Sequence, residues 1–148
     1  MRSFISVHVH YVWSTKNREP SLHSKVRERL RPYLGGIARE NKMKALAIGG
    51  TADHVHMLVS LPVTLCVAKA VQLLKGNSSK WIHETFSEMR LFQWQEGYGA
   101  FSVGVSAIDA TVSYIRDQAE HHRKRTFREE FNAMLRKHGF DFEESMLD

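Results

Sequence analysis

The pattern of apolar and polar residues along the chain marks four extended segments. Residues 3–14 alternate and are rich in β-branched and aromatic side chains, which predicts a strand. Residues 44–50 and 54–61 predict two further strands, joined by a short turn that contains glycine, threonine and aspartate. A fourth strand-like segment covers residues 92–105, and the glycines within it predict a bulge or a bend.

Apolar residues at helical spacing occupy the segments between and after these strands. In the first of these segments we expect Pro32 to kink or divide the helix, because proline lacks the backbone N–H that an interior turn requires. The predicted helices run from Ser21 to about Asn41, from Thr64 past Ile82, from Ser106 to about Arg125, and from Phe127 to Lys137.

The predicted elements follow the order β-α-β-β-α-β-α, with a further helix at the C-terminal end. Two βαβ halves with antiparallel strands are typical of the α+β class and of the ferredoxin-like split βαβ sandwich. A chain of 148 residues without a repeat or a long linker predicts a single domain over residues 1–148. This architecture hosts many functions, so the function has to be argued from the residues of the site.

Composition narrows the class of partner and the cellular compartment. No apolar run approaches the ~20 residues that a membrane span requires, and residues 1–6 lack the apolar core of a secretory signal. The single cysteine, Cys66, excludes an internal disulfide and suits a reducing cytoplasm. A net charge of +5 and a pI near 9.5 favour a polyanionic partner, of which nucleic acid is the commonest.

A pair of histidines stands at the start of the third predicted strand. Because strand side chains alternate between faces, His54 and His56 share a face, ~6–7 Å apart along the backbone, and could hold one divalent ion. His8 and His10 have the same spacing, so spacing alone does not choose between the two pairs. We favour His54 and His56 because a glycine-threonine-aspartate turn puts them at a strand entrance, and we assign the other pair to structure or DNA contact.

The helix predicted from Ser106 carries the second group of candidate residues. Tyr114 and Gln118 are four residues apart, so they share one helix face beside the apolar stripe. Judged from its position alone, Tyr114 is more often a half-buried packing residue than a nucleophile, and three other tyrosines compete for that role. Basic residues predicted to contact DNA phosphates are Lys16, Arg18, Lys75, Lys80, His121, His122, Arg123, Lys124 and Arg125.

These residues together suggest phosphodiester chemistry. Mg²⁺ or Mn²⁺ on the two imidazoles would polarise a phosphate, and the amide oxygen of Gln118 could act as a third ligand. Tyr114 would then be the nucleophile and would form a covalent phosphotyrosine. Because that bond conserves the energy of the broken linkage, a free 3′-hydroxyl can reverse the step, so cutting and rejoining occur as a pair.

The residue pattern resembles a known family, the single-tyrosine HUH transposases of small bacterial insertion sequences. The motif Asp53-His54-Val55-His56, followed downstream by Tyr114-Ile115-Arg116-Asp117-Gln118, carries the resemblance. Similar segments are residues 10–18, 50–56, 74–81, 92–102 and 114–125, so the match extends over nearly the whole chain.

The resemblance implies a specific activity. Members are ferredoxin-like homodimers that bind a hairpin in single-stranded DNA, cut beside it with Mg²⁺ or Mn²⁺ and keep a 5′-phosphotyrosine link before rejoining strands. The tyrosine helix of one subunit can complete the metal site of the other. By the same resemblance, His54, His56 and Gln118 are the metal ligands and Tyr114 is the nucleophile.

Three other functions compete with this one. A catalytically inactive or domesticated protein could bind hairpin DNA or RNA through the same basic surface. A histidine-triad nucleotide hydrolase requires a third histidine at position 58, where this chain has Leu58. A purely structural dimer module would explain neither the face shared by Tyr114 and Gln118 nor the basic charge.

Overall fold

A four-stranded antiparallel sheet forms the centre of the protein, described here by a computed structural model of residues 1–121, 124–143 and 146. The sheet order is β2-β3-β1-β4, and every neighbouring pair of strands is antiparallel. This order confirms the predicted ferredoxin-like split βαβ fold of the α+β class. The strands are β1 (His8–Ser14), β2 (Lys44–Gly50), β3 (His54–Ser60) and β4 (Gly99–Ser102).

The helices form two groups, one on each face of the sheet. The apolar residues of α1 and α2 pack in the main core against one face, which Tyr11, Trp13 and Met57 line. The opposite face carries Val12 and Leu58, and the later helices cover it in two smaller clusters. The helices are α1 (Ser24–Glu40), α2 (Val67–Thr85), α3 (Ile108–Arg116), α4 (Gln118–His121) and α5 (Phe127–Lys137).

The alternation along the two central strands decides which face carries polar chemistry. In β1 and β3 the residues with odd numbers belong to the main core, whereas His10, His54 and His56 lie on the face covered by α3, α4 and α5. His8 is paired with Ser60 at the other end of the strand pair from His54. The strand pattern therefore brings three histidines under the later helices.

Several predicted boundaries differ from those observed. β1 begins at His8 and not at residue 3, and Phe4 and Ile5 are exposed. The fourth strand is only Gly99–Ser102, because the preceding loop is held instead by an isolated bridge between Thr15 and Trp94.

The helix predicted from Ser106 to Arg125 is also shorter than expected. It consists of α3 and α4, separated at Asp117, whose ψ of 22° departs from helical geometry. In contrast, α1 is a single helix that contains Pro32 and is not divided there. α5 has the predicted bounds and begins with a capping box between Thr126 and Glu129.

Within the described ranges, we find no helix with the length and apolar character that crossing a bilayer demands.

Candidate metal and nucleophile site

Two buried imidazoles from β3 form the base of the site. The rings of His54 and His56 lie 5.1 Å apart, and both side chains are 0% exposed. Both Nε2 atoms face Glu130 Oε1, at 3.7 Å for His54 and 3.0 Å for His56. The strand period therefore aims two nitrogen atoms at one point, which is the arrangement that a shared ion requires.

The second nitrogen of each imidazole has its own partner. His54 Nδ1 lies 2.8 Å from the carboxylate of Asp53 and 3.0 Å from the Thr51 hydroxyl. His56 Nδ1 lies 2.8 Å from His10 Nε2. Such partners fix the ring orientation of metal-binding histidines, which directs both Nε2 atoms towards the cluster. Burial, followed by the neighbouring His56, lowers the pKa of His10 to about 3, so His10 is neutral at physiological pH.

Glu130 of α5 is the residue that connects the site. Its Oε1 atom faces both histidines, and its Oε2 atom accepts hydrogen bonds from the Tyr114 hydroxyl and, at 3.2 Å, from Gln118 Nε2. Burial acts to raise the pKa of Glu130, but the hydrogen bond from His56 and the neighbouring charges outweigh it and hold this pKa well below its usual range. A fully buried carboxylate is thus kept ionised by its partners.

The sequence prediction did not include Glu130, although a signal for it exists. Glu130 lies on the apolar stripe of α5, three residues after Phe127 and four before Met134. A charged residue at a core-facing helix position is unusual unless it is paired. That position could have marked Glu130 as a site candidate, but nothing in the local sequence identifies its partners.

Tyr114 and Gln118 complete the group within one chain. The half-buried Tyr114 ring lies edge-on to His56 at 5.8 Å and stacks on His121 at 4.7 Å. Burial raises the pKa of Tyr114 well above its usual range, and the hydrogen bond to Glu130 adds to that shift. Gln118 is 1% exposed, and its Oε1 atom lies 2.8 Å from His54 Nε2. The four site residues predicted from the sequence therefore meet.

A glycine allows the tyrosine helix to approach the sheet. A Cβ atom on Gly49 of β2 would overlap the backbone carbonyl of Ile115 and lie 3.0 Å from its Cγ2 atom. Ile115 follows Tyr114 directly and is fully buried against Leu58. The missing side chain at Gly49 thus sets the depth at which α3 rests on the sheet.

The donor set fits a divalent metal ion. His54, His56 and Glu130 each offer one ligand atom, and these atoms lie within 4.8 Å of one another. Two imidazole nitrogens with a carboxylate oxygen suit several divalent ions, and the amide oxygen of Gln118 lies beside them. The cluster could therefore bind a metal, with Glu130 as a candidate ligand in addition to the predicted Gln118.

The predicted DNA contacts lie in different parts of the molecule. His121 stacks on Tyr114, the half-buried Arg125 lines a cleft beside it, and Lys124 is exposed nearby. Lys80 lies on α2, across the sheet from the histidine pair. His122 and Arg123 lie outside the described residues.

Three further predicted contacts surround the loop after β1 and the loop before β4. Lys16 donates to Gln93 Oε1 at 3.0 Å, and Arg18 has a positive φ of 53°. Lys75 is half-buried and donates to the carbonyls of Gln95 and Gly97 at 2.8 and 2.7 Å. Burial lowers the pKa of Lys75. Its ammonium group therefore holds this loop.

Two solved structures that share this fold carry the name transposase. A Deinococcus radiodurans R1 protein assigned as a transposase superposes with a TM-score of 0.66 at 24% identity, covering 80% of this chain and 95% of that one. A REP-associated tyrosine transposase bound to a REP hairpin superposes with a TM-score of 0.58 at 16% identity, covering 78% and 68%. These likenesses establish the fold.

Sequence comparison identifies the family. The transposase for insertion sequence element IS200 of Salmonella typhimurium is 27% identical over 116 residues, which cover 75% of this chain and 76% of that protein. The ISDra2 transposase TnpA of Deinococcus radiodurans is 27% identical over 85 residues, covering 57% and 61%. The sequence profile described as "Transposase IS200 like" matches residues 3–118, so this chain belongs to the IS200-like transposase family. Glu130 and α5 follow the matched region.

Proposed function

We propose that this protein is a metal-dependent single-stranded DNA endonuclease and strand-transferase that cuts beside a DNA hairpin. The observation that carries the proposal is the position of Glu130, which accepts a hydrogen bond from Tyr114 and contacts both histidines of one chain. A nucleophile, a hydrogen-bond acceptor and a metal-binding group are thus adjacent. Membership of the IS200-like transposase family supports the same reaction.

The chain's own residues account for the chemical step. The Tyr114 oxygen attacks phosphorus, the bond to the 3′-oxygen of the leaving strand breaks, and a 5′-phosphotyrosine forms. Because its pKa is raised, the phenol does not ionise by itself near neutral pH. Glu130 Oε2 accepts its hydrogen bond and orients the hydroxyl, and the proton leaves to water as the oxygen attacks. The leaving 3′-oxygen takes a proton from water. Attack by a 3′-hydroxyl on the phosphotyrosine rejoins the strands.

Metal binding is assigned to His54, His56 and Glu130, with Gln118 beside them. Mg²⁺ or Mn²⁺ at these residues would polarise the phosphate and stabilise the charge on the attacking and leaving oxygens. Asp53 and His10 hold the two imidazoles in orientation through their Nδ1 atoms.

The proposed substrate is a hairpin in single-stranded DNA, as the similar REP-associated transposase is bound to a REP hairpin. We assign phosphate contact to the predicted basic groups other than Lys75, and we assign Lys75 to holding its loop. The proposed contacts are Lys16, Arg18, Lys80, His121, Lys124 and Arg125, with His122 and Arg123 from outside the described residues. We place the protein in the cytoplasm as one domain over residues 1–148, consistent with its single free cysteine.

The experiment that tests this function detects the covalent intermediate. Purified protein is incubated with Mn²⁺ and candidate hairpin oligonucleotides that carry single-stranded flanks, and products are separated under denaturing conditions. We expect a protein–DNA adduct that Tyr114→Phe abolishes and that Tyr33→Phe, a change at an exposed position of α1, preserves. An adduct that survives in Tyr114→Phe would contradict the assignment of the nucleophile.

We further propose that the protein is a homodimer in which each site is built from one chain. The hydrogen bond between Tyr114 and Glu130 of the same chain supports assembly in cis over assembly in trans. A mixture of His56→Ala and Tyr114→Phe proteins tests this choice. If sites assemble in cis, the mixture forms no adduct; recovery of adduct formation would show that one copy supplies the tyrosine to the other.

One observation favours a second function, that of a hairpin DNA or RNA binder without chemistry. His54, His56 and Glu130 are all fully buried between the sheet and α5, so a phosphate reaches them only if that helix moves. This alternative expects tight hairpin binding without any adduct, at every hairpin tested. A strand break accompanied by an adduct rules it out.

A further inference from the structure

A cleft of about 490 Å³ opens directly beside Tyr114. It lies between α3 and α5, over the end of β4, and both Tyr114 and His10 are among the residues that line it. Ala110 on α3 and Ala133 on α5 form part of its walls, and their small side chains leave the space open. The cleft therefore opens the Tyr114 side chain to solvent.

The lining of the cleft is basic. Arg125, Lys137 and His138 all line it, and no acidic side chain does so in the described part of the chain. Arg125 and Tyr114 line the same cleft, so a positive group stands on the same surface as the phenol. A polyanion thus meets attractive charge at the point where the proposed reaction occurs.

An aromatic surface is available at the rim of the same cleft. The exposed imidazole of His138 lies 4.5 Å from the buried ring of Phe101, measured between ring centroids. Its Nδ1 atom lies 2.9 Å from the carbonyl oxygen of Met134, which fixes the ring. Proteins that bind single strands combine basic grooves with such rings, because unpaired bases stack on them.

We propose that this cleft binds the single-stranded nucleotide next to the scissile phosphate, an inference that rests on the proposed function. Its volume falls within the ~300–1,000 Å³ of pockets that enclose small ligands, which suits one nucleotide and excludes a duplex. Lys137 and Arg125 contact the phosphates, and His138 offers its ring face to the base. The cleft thereby delivers the strand to Tyr114, while the hairpin is bound elsewhere.

Binding without chemistry tests the cleft separately from the nuclease. In a Tyr114→Phe background with EDTA, fluorescence anisotropy measures binding of a fluorescein-labelled, randomised ten-nucleotide single strand. Ala110→Trp fills the cleft from an exposed position and should weaken binding about tenfold or more, the loss of roughly one stacked base. Ala68→Trp, at an exposed position of α2, is the matched control and should bind as the parent does.

A second variant keeps the test valid if the tryptophan disturbs folding. Lys137 is exposed, so Lys137→Ala should leave folding intact and lower the slope of log affinity against log salt by about 0.7, the loss of one phosphate contact. Lys69→Ala on α2 should leave this slope unchanged. Circular dichroism melts check that all four variants fold.

Three results would overturn the cleft assignment. The first is parental affinity in both Ala110→Trp and Lys137→Ala. The second is that these variants weaken the binding of a blunt duplex of the same length as much as they weaken the binding of the single strand. The third is failure of the parent to bind the randomised strand. Absence of a covalent adduct in the protein with Tyr114 intact would instead overturn the proposed nuclease, whatever the variants bind.

Discussion

The substitution Glu130→Gln tests the central contact of the site. Glutamine has the shape of the parent side chain but lacks its charge and one of its two acceptor oxygens. In the parent, Glu130 lies 3.0 Å from His56 Nε2 and accepts hydrogen bonds from Gln118 Nε2 at 3.2 Å and from the Tyr114 hydroxyl. A glutamine amide accepts hydrogen bonds only at its oxygen. With that oxygen facing His56, the Tyr114 hydroxyl and Gln118 Nε2 lose their acceptor.

The expected magnitude follows from these losses. Each buried donor without a partner costs ~1–3 kcal/mol, whereas removal of a buried charge returns part of that cost. We therefore expect the free energy of unfolding of the metal-free protein to fall by about 1–3 kcal/mol. We also expect the affinity for Mn²⁺ to fall. Mn²⁺ at a hundredfold excess over Kd stabilises a protein by about 2.7 kcal/mol, and a tenfold weaker site reduces this gain to about 1.4 kcal/mol.

Urea unfolding followed by tryptophan fluorescence, with EDTA and with Mn²⁺, measures both effects. Glu129→Gln is the matched control because Glu129 is exposed, precedes Glu130 on the same helix and retains its capping role as glutamine. The reasoning about Glu130 fails if Glu130→Gln gains as much from Mn²⁺ as the parent. If Gln118→Ala loses that gain instead, Gln118 is the third ligand.

Three further predictions concern the supports of the site. Gly49→Ala should lower the free energy of unfolding by ~1–3 kcal/mol, because the new Cβ atom forces Ile115 away from β2. Gly76→Ala in α2 meets no atom within 4 Å and should raise it by ~0.5–1 kcal/mol. Thermal melts compare the two variants, and equal melting temperatures would contradict the close approach. His10 has a pKa of about 3 in the folded chain against an ordinary 6.5, so below pH 6.5 the unfolded chain binds one more proton. The stability of the metal-free protein therefore falls as the pH drops towards 3. His10→Gln should flatten this pH dependence in urea titrations at pH 7, 5.5 and 4.5, and an unchanged slope would contradict the role of His10. Lys75→Met should leave two loop carbonyls without their donor, so amide hydrogen exchange in residues 95–97 should become faster. The salt dependence of DNA binding should stay unchanged. A smaller salt slope would instead make Lys75 a phosphate contact.

The order and type of the elements were predictable because their signals are local. Alternating apolar and polar residues marked β1, the apolar run that contains Val55 and Leu58 marked β3, and the apolar spacing of residues 127–137 marked α5 with its observed bounds. Where the predictions differ, contacts between distant segments decided the result. The fourth strand is short because Lys75 and Thr15 hold the preceding loop in another conformation, and neither residue is close to it in sequence.

The positions of the site residues also depend partly on local sequence signals and partly on contacts between distant segments. A two-residue strand period by itself put His54 and His56 on one face. The four-residue separation of Tyr114 and Gln118 predicted a shared helix face, and the two side chains lie together although the helix is interrupted between them at Asp117. The sequence also carried the family pattern, and the match to the family profile ends at residue 118.

Only the tertiary structure added Glu130 and His10 to this group. Glu130 is 74 residues from His56, and His10 is 46 residues from it on another strand. Periodicity records which way a side chain points from its own element, but not which other element will face it. That depends on how loops and packed helices bring the segments together, and here the folding of α5 over the sheet places a carboxylate between the histidines and the tyrosine.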